Sequence, residues 1–494
     1  MDRTRPTGRL GSLIALGMLG AASLLLAGCV TGPAPETPSD APTSGTEAPA
    51  PALGDVASAA VERFGASACP EELASSLYVP SLEGYVCGAI EVPLDPEEPS
   101  GESLWLDVII ADSGLSREES RGTVLYIGGG PGGVSRWSAA IAPYVMADIR
   151  GQFDIVAMDL RGTGADALSC PMLQDAVGTS DVAAPSAEAV AECAEILGDR
   201  ALHQSTADAI ADLEVLREAL GVDRWILDGT SYGTFTAQQY ALRHPEAVRA
   251  LVLDGLVPTE GADPFLLSSM QSTARVLTEL CESDACGFDP AAAIESITAA
   301  GYPALPLLNA IIGQSAMGGA FTGLLAALEA ATAGDLAPLD AVIAEVEGLS
   351  SADLESFSAG AHIATLCSDT PMPWGDATTA VADRAPAIAA AVAALTPEAT
   401  WPYPTSVAGE VGPIVSCSLW PVEAFDAPLS GPLPEVPTLV MSGGWDLSTP
   451  VSNAEGFLEA NPGAESAVFP GRGHAVQNDP EALAVLAEFL FALD

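Results

Sequence analysis

The chain has 494 residues, 49% of them hydrophobic, which is too much apolar surface for a disordered chain. At roughly 100–200 residues per domain, this length allows one large domain with an insertion, or two to three domains. All 17 basic residues are arginine, against 66 acidic ones, for a formal net charge of -49. That excludes the basic face a nucleic-acid partner needs, and chemistry that depends on a lysine Schiff base or a P-loop lysine.

The chain opens as an export signal. Arg3, Arg5 and Arg9 precede the apolar stretch 10–27, and Leu26-Ala27-Gly28-Cys29 resembles a bacterial lipobox. Residues 1–28 are then the signal peptide, and Cys29 is the lipidated first residue of the mature chain. The alternatives are an ordinary signal peptide or an N-terminal membrane helix. Six prolines between Thr31 and Ala52 make residues 29–55 a flexible tether. The expected location is the outer face of a bacterial cell membrane, with the lipid as the membrane contact.

Eight further cysteines, Cys69, Cys87, Cys170, Cys193, Cys281, Cys286, Cys367 and Cys417, make an even number in an exported chain and suggest disulfides. Eight allow on the order of a hundred pairings, and pairing between sequence neighbours is the expectation. No CxxC pair occurs and there are four histidines, so neither a metal site nor a cofactor is expected.

Strands are expected over 103–112, 124–127, 153–158, 224–227, 250–253, 438–441 and 467–469. Helices are expected over 206–220, after Ser231, and from Pro480 with Asp479 as N-cap. Strands alternating with helices predict an α/β fold with a mostly parallel sheet covered on both faces. Residues 258–436 break the rhythm with alanine-rich helical segments. They read as a helical lid inserted before the acid-bearing strand, between core segments 56–257 and 437–494. In its most apolar part, 307–333, Asn309, Gln314 and Glu329 argue against a membrane span.

Gly229-Thr230-Ser231-Tyr232-Gly233 follows the apolar run Trp225-Ile226-Leu227 and precedes a helix-competent run. This is the strand–turn–helix setting of a nucleophile elbow, with Ser231 at the helix N-terminus. A serine needs a base, and the order Ser, then Asp or Glu, then His excludes His203. His244 lies on the nucleophile helix and His362 in the insertion, whereas His474 lies between the last expected strand and the last helix. Asp446, at the end of the 438–441 strand, is the acid; Glu455 and Glu459 are placed on a helix instead. Backbone N–H groups of Tyr232 and Gly130 are the expected oxyanion donors. The Gly128–Gly133 run could also cradle phosphate, but neither GK[ST] nor GxGxxG spacing is present.

Assembled, these residues resemble the α/β-hydrolases of the prolyl aminopeptidase and tripeptidyl aminopeptidase group, peptidase family S33. The resemblance covers about residues 65–494. It rests on Cys87-Gly88 with Val92-Pro93-Leu94-Asp95, Gly129-Gly130-Pro131-Gly132-Gly133, Arg161-Gly162-Thr163-Gly164 and Asp228 to Thr234. Leu251-Val252-Leu253-Asp254-Gly255, Cys367 with Asp369, and Asp446 with Thr449-Pro450 complete it. The resemblance implies the α/β-hydrolase fold, a helical lid after the 251–253 strand, and an exopeptidase acting at free N-termini, or in some members an esterase. Val134, and Ala165-Asp166, depart from the family's usual Ser and Arg-Ser, which leaves substrate preference open. The expected function is a serine hydrolase, an aminopeptidase first and a carboxylesterase or lipase second, with a non-catalytic binding lipoprotein as the remote reading. The expected partner is a peptide or small acyl substrate. An aminopeptidase would also need a carboxylate, expected from the lid, to meet the substrate ammonium.

Overall fold

The computed structural model describes residues 53–77, 79–145 and 147–493, with the side chains of 142–148 left aside. The signal peptide 1–28, Cys29 and the tether up to residue 52 lie outside the described residues.

Nine strands form one sheet: β1 Ser67–Ala68, β2 Tyr85–Pro93, β3 Ser103–Ala111, β4 Thr123–Ile127, β5 Asp154–Met158, β6 Trp225–Thr230, β7 Val248–Asp254, β8 Thr438–Gly443 and β9 Glu465–Phe469. Their spatial order is β1-β2-β3-β5-β4-β6-β7-β8-β9. The first three pairings, β1–β2, β2–β3 and β3–β5, are antiparallel. From β5 through β4, β6, β7 and β8 to β9 the pairings are parallel.

The parallel strands are near-continuous apolar runs because both faces are covered. Leu125, Val156, Leu227 and Leu251 pack on one face against Ile210, Leu213 and Leu216 of helix Thr206–Leu220 and Tyr240 of helix Tyr232–Arg243. On the other face Val124, Ile155, Ile226, Val252 and Leu439 meet Leu486, Phe489 and Leu490 of helix Pro480–Ala492. Parallel strands end on one edge, so the loops after β4, β6, β8 and β9 converge there, where ligands bind in open α/β sheets. Arg161, in the loop after β5, is buried. Its guanidinium forks onto Asp212 at 2.7 and 2.8 Å and donates to the carbonyls of Pro93, Leu94 and His203, pinning that loop to the sheet.

Between β7 and β8 the chain leaves the sheet for the helices Leu267–Asp284, Pro290–Ala299, Ala304–Ala316, Leu324–Thr332, Ala337–Leu349, Ala359–Asp369, Val381–Ala394 and Gly412–Leu419. They share one apolar cluster. Leu173, Val177, Val190 and Leu197 join that cluster from helices Pro171–Val177 and Ala187–Leu197, which follow β5. The helical layer therefore draws on two stretches of chain. The expected boundary at 258 separates segments that pack together, because those two helices turn their apolar sides to the insertion. Among the described residues no helix is long and apolar enough to cross a membrane.

Disulfides join Cys69–Cys87, Cys170–Cys193, Cys281–Cys286 and Cys367–Cys417, the neighbour pairing. The second links helices Pro171–Val177 and Ala187–Leu197. The fourth closes 50 residues of the insertion.

Candidate active site

Ser231 sits at the turn from β6 into helix Tyr232–Arg243 with φ 56° and ψ -125°. Backbone of that kind costs on the order of 1–3 kcal/mol in a non-glycine residue and persists only where neighbours hold it. Here the Ser231 N–H donates to the Asp254 carbonyl at 2.8 Å. Its own carbonyl accepts from the Thr234 N–H at 2.9 Å and the Thr234 hydroxyl at 2.6 Å. The glycines of the motif are steric requirements. A Cβ on Gly229 would run into the Gly233 carbonyl, and one on Gly233 into the Ile127 carbonyl of β4.

Asp446 and His474 meet across the loops after β8 and β9, with His474 Nδ1 2.8 Å from Asp446 Oδ2. Asp446 is fully buried, and its carboxylate accepts three further bonds: Ser448 N–H and Thr449 N–H at Oδ1, and the Thr449 hydroxyl at Oδ2. Thr449 Oγ1 also lies 3.1 Å from His474 Nδ1. A carboxylate so fixed holds the imidazole in the tautomer with Nδ1 protonated and Nε2 free to accept a proton.

The Gly128–Gly133 loop follows β4, the strand paired with β6, and comes beside the elbow: a Cβ on Gly129 would lie 2.6 Å from Ser231 Cβ. Gly130, Ser231 and Tyr232 line one cleft. Among the described residues no protein acceptor takes the Tyr232 or Gly130 backbone N–H. The insertion props this loop. Ser358 N–H donates to the Gly132 carbonyl at 2.9 Å, and buried His362 Nδ1 lies 2.8 Å from the Pro131 carbonyl. The Tyr232 hydroxyl donates to buried Asp369 at 2.8 Å, tying the elbow helix to helix Ala359–Asp369.

The cleft continues over Val257, Pro258, Ala262, Leu266, Leu366 and Pro413, with two carboxylates on its walls, Asp181 and Asp263. Asp263 accepts from the Phe265 and Leu267 N–H groups and so caps the turn it stands on. Asp181 has 42% of its side chain exposed and lies 3.5 Å from His362 Nε2. It comes from the segment after β5, whereas Asp263 belongs to the insertion, where a carboxylate for a substrate amine is expected. His244 ends the elbow helix, 4.0 Å from Glu214, and the carbonyl of His203 receives Arg161. Neither lines the cleft. Sequence reasoning missed Thr449, Ser358, His362 and Asp181 as parts of the site; of these, only Thr449 stood in a quoted motif, without a role. Among the described residues no cluster of His, Cys, Asp or Glu could hold a metal ion.

Residues 122–298 match the family model described as the alpha/beta hydrolase fold. The chain has the α/β-hydrolase fold. Over 188 residues it is 33% identical to the tripeptidyl aminopeptidase of Streptomyces lividans, a match spanning 35% of each chain. It is 28% identical over 238 residues to the serine protease Hip1 of Mycobacterium tuberculosis, 43% of this chain and 45% of that one. A shorter stretch of 75 residues is 35% identical to the proline iminopeptidase of Neisseria meningitidis, covering 15% of this chain and 24% of that one. The matches span less than half the length of these relatives.

The electrostatics of the site and its surroundings set two opposed pH dependences. Burial alone would lower the His474 pKa, but the facing carboxylates of Asp446, Asp254 and Asp181 outweigh it and raise it to about 9. A proton-accepting His474 must be neutral, so kcat/KM of the free protein is expected to rise with pH through about 9. Asp181→Asn removes one of the charges holding the proton and should move that limb to lower pH. Stability runs the other way. Burial raises Asp228 and Asp369 to about 7 and Asp254 and Asp212 to about 6. A folded pKa above the unfolded value contributes stability below the unfolded pKa that is lost as pH rises through the folded one. The melting temperature is therefore expected to fall as pH rises from about 4 to about 7. A pH–rate profile beside a pH–melting profile checks both; an activity limb near the ordinary histidine value would contradict the first.

Proposed function

We propose that the chain is an exported, lipid-anchored serine peptidase that removes residues from peptides with a free amino end. The observation that carries the reading is the Asp446–His474 pair at 2.8 Å on the sheet edge that bears the Ser231 elbow. Ser231 Oγ attacks the scissile carbonyl carbon while its proton passes to His474 Nε2. The carbonyl oxygen becomes an oxyanion that accepts bonds from the Tyr232 and Gly130 N–H groups. His474 returns the proton to the departing amine as the C–N bond breaks, leaving an ester on Ser231. Water, deprotonated by His474, then releases the acid and restores Ser231. Asp446 stays ionised and stabilises the imidazolium.

Peptidase-named relatives favour an amide substrate over an ester. The cleft carboxylate of Asp181 favours a substrate with a positive end. A bound peptide would cover Asp181 and desolvate its contact with the substrate ammonium, and loss of a charge partner buried in that way costs about 2–5 kcal/mol. Free-amine peptide anilides should therefore be cleaved at least about 30-fold faster than their N-acetylated forms, taking the low end of that range. Equal rates, or activity on acyl esters alone, would move the assignment to a carboxylesterase with the same three residues.

The anchor is Cys29. The arginines before the apolar stretch, the lipobox-like Leu26-Ala27-Gly28-Cys29 and the proline-rich tether support it. Four disulfides accord with an oxidising compartment. Cys29→Ala should leave the protein outside the membrane fraction or as an unprocessed precursor; an unmodified mature N-terminus elsewhere, found by mass analysis, would refute the anchor.

A further inference from the structure

The helical insertion is expected to cover the cleft, but one of its residues reaches past the cleft to the acid and the base. Ser315, in the last turn of helix Ala304–Ala316, is fully buried. Its hydroxyl accepts the Leu447 N–H at 2.7 Å and donates to the Trp445 carbonyl at 3.0 Å. Those two residues flank Asp446. Its backbone carbonyl accepts the His474 N–H at 3.1 Å. A Cβ on Gly473 would run into that same carbonyl, so glycine before His474 is what lets the insertion approach this closely. The contact continues with the Gly473 N–H donating to the Gly318 carbonyl at 3.3 Å.

We infer that Ser315 is a positioning residue that fixes Asp446 and His474 relative to each other, making the insertion part of the catalytic framework as well as the cover. The inference rests on the reading of Ser231, His474 and Asp446 as the reacting residues. β8 and β9 are paired, but the loops beyond them extend past the last ladder pair, Gly443 with Phe469. Beyond it, Trp445 N–H still reaches the Arg472 carbonyl at 2.8 Å. Nothing in that pairing grips the chain on both sides of Asp446 and at His474 together; one hydroxyl and one carbonyl of Ser315 do. Removing the hydroxyl leaves the buried Leu447 N–H and Trp445 carbonyl without it, and the acid loop is free to shift. A displacement on the order of 1 Å in a catalytic group costs about 100-fold.

The test compares Ser315→Ala with Thr400→Val, which removes a different buried hydroxyl of the insertion, one that donates to the Tyr403 carbonyl at 3.0 Å. Both are assayed, per folded molecule, by the rate of inactivation by a small alkyl fluorophosphonate and by peptide-anilide kinetics. Ser315→Ala should slow inactivation and lower kcat about 10- to 100-fold, with KM little changed, while Thr400→Val stays near wild type. The Ser315→Ala activity limb should also move to lower pH, because a loosened Asp446 holds the proton on His474 less well. Asp254 and Asp181, which also face His474, are untouched. If Ser315→Ala does not fold, Ser315→Cys carries the same test, its thiol being a weak donor and acceptor. Inactivation as fast as wild type, or losses matched by Thr400→Val, would overturn the inference while leaving the catalytic reading in place. A wild type that does not react with the fluorophosphonate would overturn that reading and this inference with it.

Discussion

Replacing Ser231 by alanine is expected to lower turnover by on the order of four to six orders of magnitude. The size follows from what the hydroxyl does. Without it no acyl-enzyme forms, His474 has no proton to accept, and only binding and the oxyanion donors remain to assist direct attack by water. The fold should survive. Ser231 is held through its backbone, by the Asp254 carbonyl and the two Thr234 bonds, and none of these uses Oγ. Steady-state kinetics with a melting curve checks both halves, and a variant retaining a tenth of wild-type turnover would contradict the assignment.

Asp446→Asn is expected to cost about 10,000-fold in kcat, by a different route. The side chain keeps its shape, but its oxygens now accept four donors, from Ser448, Thr449 twice, and His474. An amide has one oxygen and one NH2 group, so one side must turn a donor toward a donor. If the NH2 faces His474 Nδ1, the imidazole relieves the clash by carrying its proton on Nε2, the atom that must accept from Ser231. The variant also loses the charge that steadies the imidazolium. Its activity limb should therefore sit at lower pH than that of the wild type, on a much lower plateau. Kinetics across pH decides this, and an unchanged limb would mean that Asp446 does not set the His474 pKa.

The sheet edge was legible because local sequence encodes it. Gly229 and Gly233 mark the close approach of β6, its helix and β4, and the order of Ser231, Asp446 and His474 follows the order of strands β6, β8 and β9. The disulfides follow neighbour pairing because each joins cysteines from adjacent parts of one layer. What sequence did not reveal depends on how the insertion lands on that edge. Ser315, Ser358 and His362 lie in alanine-rich helical stretches whose pattern shows only which side is apolar. Their polar contacts reach 130 or more residues along the chain, to Trp445, Gly132 and Pro131. Asp181 stands in a turn after β5, and only the packing of helices Pro171–Val177 and Ala187–Leu197 into the helical layer brings it to the cleft. With 66 acidic residues in the chain, composition could not single it out.

The central claim is that Ser231 is a nucleophile activated by His474. It is tested most directly by treating the intact protein with an alkyl fluorophosphonate and locating the adduct by peptide mass mapping. The account predicts one adduct per chain, on the peptide containing Ser231, formed faster as pH rises through about 9 and abolished in Ser231→Ala. An adduct on another serine, or none at any pH up to that value in a folded protein, would contradict it.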